Sequence, residues 1–198
     1  MLQDIPTQPL FENCSGVLET QRLVLRRPAL ADVKAIALLA NDRRIAENTR
    51  RLPHPYTMRD AEDFVTSLAG NRRETTFAIE TRERVLIGLC GLSAIGEASF
   101  ELGYWLGFAY WGHGYGTEAV RGAIDYAFET LDADSLVSGA RVANPASRRI
   151  LEKCGFQWTG VELHRFQALG FSTPVDRLRL PRHVWASLRQ WQPVRRVA

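Results

Sequence analysis

The chain has 198 residues, of which 45% are hydrophobic and 24% are charged, and its formal net charge at pH 7 is +3. This length predicts one domain with a sizeable buried core, and the small net charge gives no reason to expect nucleic acid or a membrane surface as a partner. No apolar run approaches the roughly 20 residues that cross a bilayer, and no signal-peptide pattern opens the chain, so we expect a cytoplasmic protein. The cysteines Cys14, Cys90 and Cys154 lack metal-ligand spacing, so neither a metal site nor a disulfide framework is expected.

The first third of the chain predicts a strand and two helices. In order, these are a strand at 18–28, a helix at 29–42, a loop at 50–57 and a helix at 57–71. The strand alternates apolar and polar residues at Leu23 and Leu25, whereas the helices have apolar residues three and four positions apart. Two prolines exclude a helix from the loop, and either Thr57 or Asp60 is expected to begin the second helix.

The remainder predicts an antiparallel meander followed by alternating helices and strands. The elements are strands at 75–81, 84–95 and 98–108, a helix at 117–131, a strand at 135–142, a helix at 144–156, strands at 158–166 and 173–185, and a terminal segment. Asn144 is suited to cap the helix that follows it, because Pro145 stands at the first turn and Gly155 after the end. One mixed α/β domain accounts for this order.

Three glycines, Gly112, Gly114 and Gly116, stand immediately before the helical segment 117–131. A helix N-terminus has unpaired backbone N–H groups and about half a positive charge, so glycines there allow a phosphate to approach closely. The spacing fits neither a Walker A loop nor a dinucleotide-binding fingerprint. From these residues alone, phosphate binding and a turn that only reverses the chain are equal alternatives.

Three longer stretches resemble one protein superfamily. They are "ELGYWLGFAYWGHGYGTEA" at 101–119, "LPHPYT" at 52–57 and "NPASRRILEKCGF" at 144–156. The sequence resembles the GNAT superfamily of N-acetyltransferases, in the branch of the RimJ/RimL ribosomal-protein N-terminal acetyltransferases. It departs from the pattern at Trp111, where the superfamily usually has Gln or Arg, and at Gly116, where the branch usually has Ala.

The resemblance implies an α/β (α+β) fold with one GNAT-like domain. Its sheet is mixed but mostly antiparallel and flanked by helices, and the fourth and fifth strands splay apart. The domain is expected at residues 18–185, with a lead at 1–17 and a tail at 186–198.

The resemblance also implies acetyl-CoA as co-substrate, with no metal. Backbone groups of Trp105 and Leu106 are expected to pair with the pantetheine arm, as is Asn144, for which simple helix capping is the alternative. The pyrophosphate is expected on the glycine turn, whose residues are Trp111, Gly112, His113, Gly114, Tyr115, Gly116 and Thr117.

Acetyl transfer to an amine requires loss of the amine proton, stabilisation of an oxyanion and departure of a thiolate. Glu101 is the candidate base, acting directly or through a water, and a solvated or ion-paired strand carboxylate is the alternative. Many members have a tyrosine as general acid where this chain has Leu151. Ser147 is therefore the candidate contact for the thiol, and a polar residue of a first helical turn is the alternative.

Four other reactive side chains are given lesser roles. Cys154 is expected in the core rather than as a nucleophile, and His113 is expected to face solvent. His54 and Tyr56 lie in the loop that lines the acceptor pocket in the family that this sequence resembles.

The sequence therefore predicts an acetyl-CoA-dependent N-acetyltransferase, either monomeric or homodimeric. In a ternary complex, the acceptor amine is expected to attack the acetyl group directly. The acceptor is expected to be the α-amine of a peptide or protein, and a small amine such as a polyamine, amino sugar or antibiotic is the alternative. A non-catalytic acyl-CoA sensor is a further alternative. A nucleic-acid module is less favoured, because the arginines at 182, 189, 195 and 196 form no continuous run.

Overall fold

The structure is a computed structural model that describes residues 17–71 and 73–191. Its strands are β1 (Leu18–Glu19), β2 (Leu23–Arg26), β3 (Glu74–Thr81), β4 (Leu86–Ala94), β5 (Ser99–Leu106), β6 (Ser135–Arg141), β7 (Gln157–Arg165) and β8 (Ser172–Pro181). They form one eight-stranded sheet in the order β1-β2-β3-β4-β5-β6-β8-β7. All neighbouring pairs are antiparallel except β5 and β6, which run parallel. The predicted mixed, mostly antiparallel sheet is confirmed.

Six α-helices accompany the sheet in the described part of the chain. They are α1 (Val33–Ala40), α2 (Arg43–Ala46), α3 (Met58–Ser67), α4 (Tyr115–Glu129), α5 (Pro145–Lys153) and α6 (Arg182–Trp191). Thr57 begins α3 with a reciprocal capping box, in which its side chain accepts from the Asp60 N–H and Asp60 accepts from the Thr57 N–H. Asn144 caps α5, as predicted.

Several elements differ from the sequence-based expectations. The strand expected at 18–28 is a short hairpin, because the Thr20 hydroxyl accepts from the Leu23 N–H and turns the chain. The helix α2 was not predicted, since four residues carry little periodic signal. The strand expected at 173–185 ends at Pro181 and is followed by α6, in which Trp185 stacks on Phe128 with ring centroids 4.9 Å apart. The lead at 1–16 and the end of the tail at 192–198 lie outside the described residues.

Two hydrophobic clusters cover the two faces of the sheet. Successive side chains of a strand point to opposite faces of the sheet. Ile79 and Leu102 therefore belong to one cluster, and Ala78 and Leu89 belong to the other. The first cluster contains the buried stripe of α4 together with Leu151 of α5, and the second contains residues of α1 and α3. The sheet is therefore the middle of three layers.

The parallel strands β5 and β6 stay together for only three residues. Ser99–Glu101 of β5 pair with Ser135–Val137 of β6, and the Ser138 hydroxyl donates to the Leu102 carbonyl at 2.8 Å. Beyond that point β5 continues to pair with β4, and β6 continues to pair with β8. The predicted splay is confirmed, and a cavity of about 840 Å³ includes the gap that it opens.

Candidate active site

The glycine turn leads directly into α4 at one end of this cavity. Gly112 and Gly114 have φ of +80° and +82°, a left-handed backbone that residues with a Cβ rarely adopt. Gly114 is the N-cap of α4, and no side chain caps this helix end. Because Gly112, Gly114 and Thr117 line the cavity, the helix N-terminus is presented to it. This arrangement fits an anionic group such as a pyrophosphate.

Gly116 has a packing role that the sequence does not indicate. It lies inside the first turn of α4, where an added Cβ would be 2.9 Å from Cδ1 of Ile150 in α5. The missing side chain therefore allows α4 and α5 to pack closely. Gly116 also lines the cavity, so this packing contact stands beside the role expected for its backbone N–H group.

The turn is held in place by contacts from the β1–β2 hairpin. Glu118 accepts hydrogen bonds from the Thr20 hydroxyl and the Arg22 N–H, and pairs with the Arg22 guanidinium at 2.7 Å. Arg22 Nη1 also donates to the His113 carbonyl at 2.9 Å, and the guanidinium lies over the Tyr115 ring. The side chain of His113 is exposed, as expected. These bonds hold the glycine turn against the β1–β2 hairpin.

Trp111, which replaces the usual Gln or Arg, ties the turn to the end of β5. Its Nε1 donates to the Leu106 carbonyl at 2.8 Å, and its ring packs edge-on against Phe108. The carbonyl of Leu106 on the gap side is therefore already engaged by the protein.

Backbone groups on β5 alternate between β4 and the gap. The Gly107 N–H donates to the Ile87 carbonyl at 2.8 Å, and in an antiparallel ladder the residues that bond to the partner strand recur every second position. Trp105 is two residues earlier, so its backbone groups face β4, whereas those of Tyr104 and Leu106 face the gap. The backbone of Trp105, expected to face the gap, is therefore paired with β4, and the backbone of Tyr104 faces the gap instead, while the Trp105 side chain lines the cavity.

Ser147 and Tyr104 meet across the gap. The Tyr104 hydroxyl lies 2.9 Å from Ser147 Oγ and 3.1 Å from the Ser147 carbonyl oxygen. Burial, the main influence on the pKa of Tyr104, raises that pKa well above its ordinary value, so the phenol stays protonated. The Asn144 side chain accepts from the Ser147 N–H at 3.2 Å, which is the capping alternative, and Asn144 also lines the cavity.

Glu101 lines the cavity between two guanidinium groups. Its Oε2 accepts from Arg50 and its Oε1 from Arg177, each at 3.0 Å. Burial alone would raise the pKa of Glu101, but the hydrogen bond from Arg177 and the positive charges of both arginines outweigh it and leave the pKa below its ordinary value. The carboxylate is therefore ionised at neutral pH and ion-paired, as the alternative interpretation of this residue describes.

Two further residues close a ring of contacts around Glu101. His164 Nδ1 lies 3.3 Å from Arg50 Nη1, and because a guanidinium can only donate, this nitrogen is the acceptor. His164 Nε2 then carries the hydrogen and donates to Glu162 at 2.9 Å. Glu162 also lies 3.4 Å from Nε of Arg177. We call Arg50, Glu101, Arg177, Glu162 and His164 the ion-pair ring.

The remaining side chains considered for a chemical role are Cys154, Tyr56 and His54. Cys154 is buried, and burial raises the pKa of its thiol to about 11, which agrees with the expected core position. Tyr56 is buried and lines the cavity, and burial raises its pKa to about 12. His54 is exposed.

The sequence-based reasoning missed Tyr104, Arg50 and Arg177. Tyr104 lies within the quoted motif, and its odd position relative to Glu101 places it on the opposite face of β5, next to the helix that carries Ser147. Arg50 and Arg177 are 51 and 76 residues from Glu101 in sequence, and no local pattern connects them.

Comparison with known proteins identifies the family. Residues 22–157, more than half of the chain, match the family model of the acetyltransferase (GNAT) domain. The chain is 31% identical to the uncharacterized N-acetyltransferase YoaA of Bacillus subtilis over 154 residues, which cover 73% of this chain and 85% of that protein. It is 37% identical over 71 residues to the putative ribosomal N-acetyltransferase YdaF of the same organism, covering 36% and 38% of the two chains.

A solved structure agrees with the fold. The spermidine N-acetyltransferase of Vibrio cholerae, in complex with CoA and spermine, superimposes with a TM-score of 0.75 and 25% identity, and the match covers 84% of this chain and 99% of that one.

Among residues 17–71 and 73–191, no group of side chains could hold a metal ion and no helix is long and apolar enough to cross a membrane. The chain therefore belongs to the GNAT family of acetyltransferases, whose structures bind CoA as co-substrate.

Proposed function

We propose that this protein transfers an acetyl group from acetyl-CoA to a primary amine by direct attack within a ternary complex, and that the acceptor is the α-amine of a peptide or protein. One observation carries the proposal. The cavity between the splayed strands connects an uncapped helix N-terminus at the glycine turn with the carboxylate of Glu101. A phosphate-bearing donor and an amine acceptor can thus meet in the gap from opposite ends.

The end of the cavity that would bind acetyl-CoA, the acetyl donor, is formed by the glycine turn and by the edge of β5 that faces the gap. The backbone N–H groups from Gly112 to Thr117 would hold the pyrophosphate, since their side of the helix end carries partial positive charge. The backbone of Tyr104 and the Leu106 N–H would pair with the pantetheine arm, together with Asn144. The bound donor supplies an acetyl thioester, whose carbonyl carbon is the electrophile.

Ser147 and Tyr104 stabilise the leaving sulfur in this proposal. The single hydrogen of the Tyr104 phenol can go to the Ser147 carbonyl oxygen or to Ser147 Oγ, and when Oγ accepts it the Ser147 hydroxyl is free to donate into the gap. An ordinary thiol has a pKa near 8.5, far below that of the buried Tyr104, so a proton would not pass from Tyr104 to the thiolate. Ser147 therefore acts as a hydrogen-bond donor that Tyr104 orients.

Glu101 receives the amine at the other end. A carboxylate has about four acceptor positions, and the two arginines occupy two of them, so Glu101 can still accept an N–H of the attacking amine or of a bridging water. Because its pKa is held low, the proton is passed on to solvent and does not remain on the carboxylate. Such a weak base suits an α-amine, whose ordinary pKa is near 8, better than a lysine amine near 10.4.

A small-molecule amine is the second candidate acceptor. It is supported by the structure from Vibrio cholerae that contains spermine, and by 26% sequence identity over 159 residues to a spermidine N(1)-acetyltransferase. The loop from Arg50 to Tyr56, which borders the cavity, is the kind of segment that differs most between related enzymes.

A screen of CoA release tests the proposal. Purified protein is incubated with acetyl-CoA and, in separate wells, with peptides bearing a free α-amine, the same peptides with a blocked N-terminus, and small amines. Amine-dependent release of free thiol is expected with the unblocked peptides. Binding of acetyl-CoA without release in any well would contradict catalysis and support an acyl-CoA sensor.

A further inference from the structure

Carboxylates that line the cavity all have partners within the protein. Asp60 accepts from the N–H and hydroxyl of Thr57, and Glu74 accepts from Asn71 and lies 3.7 Å from Arg51. Glu101 is paired on both oxygens. In the part of the chain that the structure describes, Glu101 and Glu74 thus face guanidinium groups, whereas Asp60 is held only by the uncharged N–H and hydroxyl of Thr57.

The pairing of Glu101 is built into the fold at both of its arginines. An added Cβ at Gly139 would be 3.0 Å from Nη1 of Arg177, so the glycine makes room for this guanidinium to reach Glu101. On the other side, the acceptor nitrogen of His164 holds Arg50 in place. Glu101, Arg177 and Arg50 are all at least partly shielded from solvent, with side-chain exposures of 19%, 19% and 36%.

We infer that Arg50 and Arg177 determine acceptor specificity by excluding polycationic amines from the part of the cavity around Glu101, so that the acceptor carries no second cationic group beside its reacting amine. This inference rests on the proposed function and narrows its acceptor class. A second ammonium group beside the reacting amine would be attracted by the carboxylate of Glu101, but this charge already faces two guanidinium groups. Two guanidinium groups beside one carboxylate also repel an approaching cation, whereas an uncharged amine meets no such barrier.

Spermidine binding to the CoA-saturated protein is the direct test, measured by titration calorimetry. Wild type is expected to bind spermidine weakly, and Arg177→Met to bind it at least about 10-fold more tightly, because one oxygen of Glu101 becomes free. Arg82→Met removes an ion-paired arginine that pairs with Glu19 outside the cavity, and it should bind spermidine as wild type does. The double variant Arg177→Met/Glu101→Gln should lose the gain.

Equal spermidine affinity in wild type and Arg177→Met would overturn the inference, whether both bind or neither binds. Kinetics give a second readout through two probes that differ by one ammonium group, hexylamine and 1,6-diaminohexane. Arg50→Met and Arg177→Met should each raise the relative rate for the diamine. Absence of acetyl transfer to any amine, with the calorimetric difference intact, would contradict the proposed function but not the charge-based exclusion.

Discussion

Replacing Gly112 by alanine separates the cost of the turn's backbone from the loss of a phosphate site. Gly112 has φ of +80°, and its added Cβ would have no protein atom within 4 Å. Gly170 in the β7–β8 connection has φ of +74° and the same open surroundings, but it does not line the cavity. The two glycines are therefore matched in strain and differ in their relation to the proposed donor site.

The stability change should be the same for both variants. A left-handed backbone costs a residue with a Cβ about 1–2 kcal/mol, and each kcal/mol lowers Tm by about 2–4 °C in a protein of this size. Gly112→Ala and Gly170→Ala should thus both lower Tm by about 2–8 °C. Gly114 is a poorer probe, because a Cβ there would also approach Nη2 of Arg22 at 3.3 Å.

CoA affinity should distinguish the two variants. A hydrogen bond to a charged group contributes about 1.5–3 kcal/mol, so loss of one amide–phosphate bond raises Kd by about 10- to 150-fold. Calorimetry should show this weakening for Gly112→Ala and wild-type affinity for Gly170→Ala. Unchanged CoA affinity in Gly112→Ala, at the same loss of stability, would refute the assignment of the pyrophosphate to the turn.

Three further results are expected from steady-state kinetics. Glu101→Gln should lower kcat by about 100-fold and leave CoA affinity unchanged, and an unaltered rate would remove Glu101 from the chemistry. Because the pKa of Glu101 is lowered, this group stays ionised between about pH 6 and 9. We therefore expect kcat/KM to rise with pH only until the acceptor amine is neutral near pH 8. A fall in kcat/KM across that range would contradict this. Tyr104→Phe should lower kcat by about 2- to 12-fold with little change in KM for acetyl-CoA, and should add nothing in a Ser147→Ala background; additive losses would show that Tyr104 does not act through Ser147.

Local sequence signals predicted the parts of the fold that depend on neighbouring residues. Pro145 and Gly155 bracket α5, and the periodicity of α4 predicts its buried face, because capping and amphipathicity act over one or two turns. The glycine turn was predicted for the same reason. Its detail differs, since α4 begins at Tyr115 and Gly116 faces Ile150, a contact that only the packing of two helices defines.

The charge arrangement at Glu101 could not be predicted from local pattern. Its partners come from the loop after α2 and from β8, and the sheet order brings β8 next to β6 and so within reach of β5. Ion pairs of this kind depend on which surfaces the fold brings together and leave no periodic trace in the sequence. The sequence therefore leaves Glu101 divided between a base and an ion-paired carboxylate, and the fold shows the ion pairs.

Mass spectrometry of one peptide tests the central claim most directly. The peptide carries a free α-amine and an internal lysine, and it is incubated with the protein and acetyl-CoA, beside the same mixture without protein. The account predicts one protein-dependent acetyl group, located on the α-amine by fragmentation. Acetylation of the lysine alone, or of neither amine while acetyl-CoA is bound and small amines are acetylated, would contradict the claim that the acceptor is a peptide α-amine.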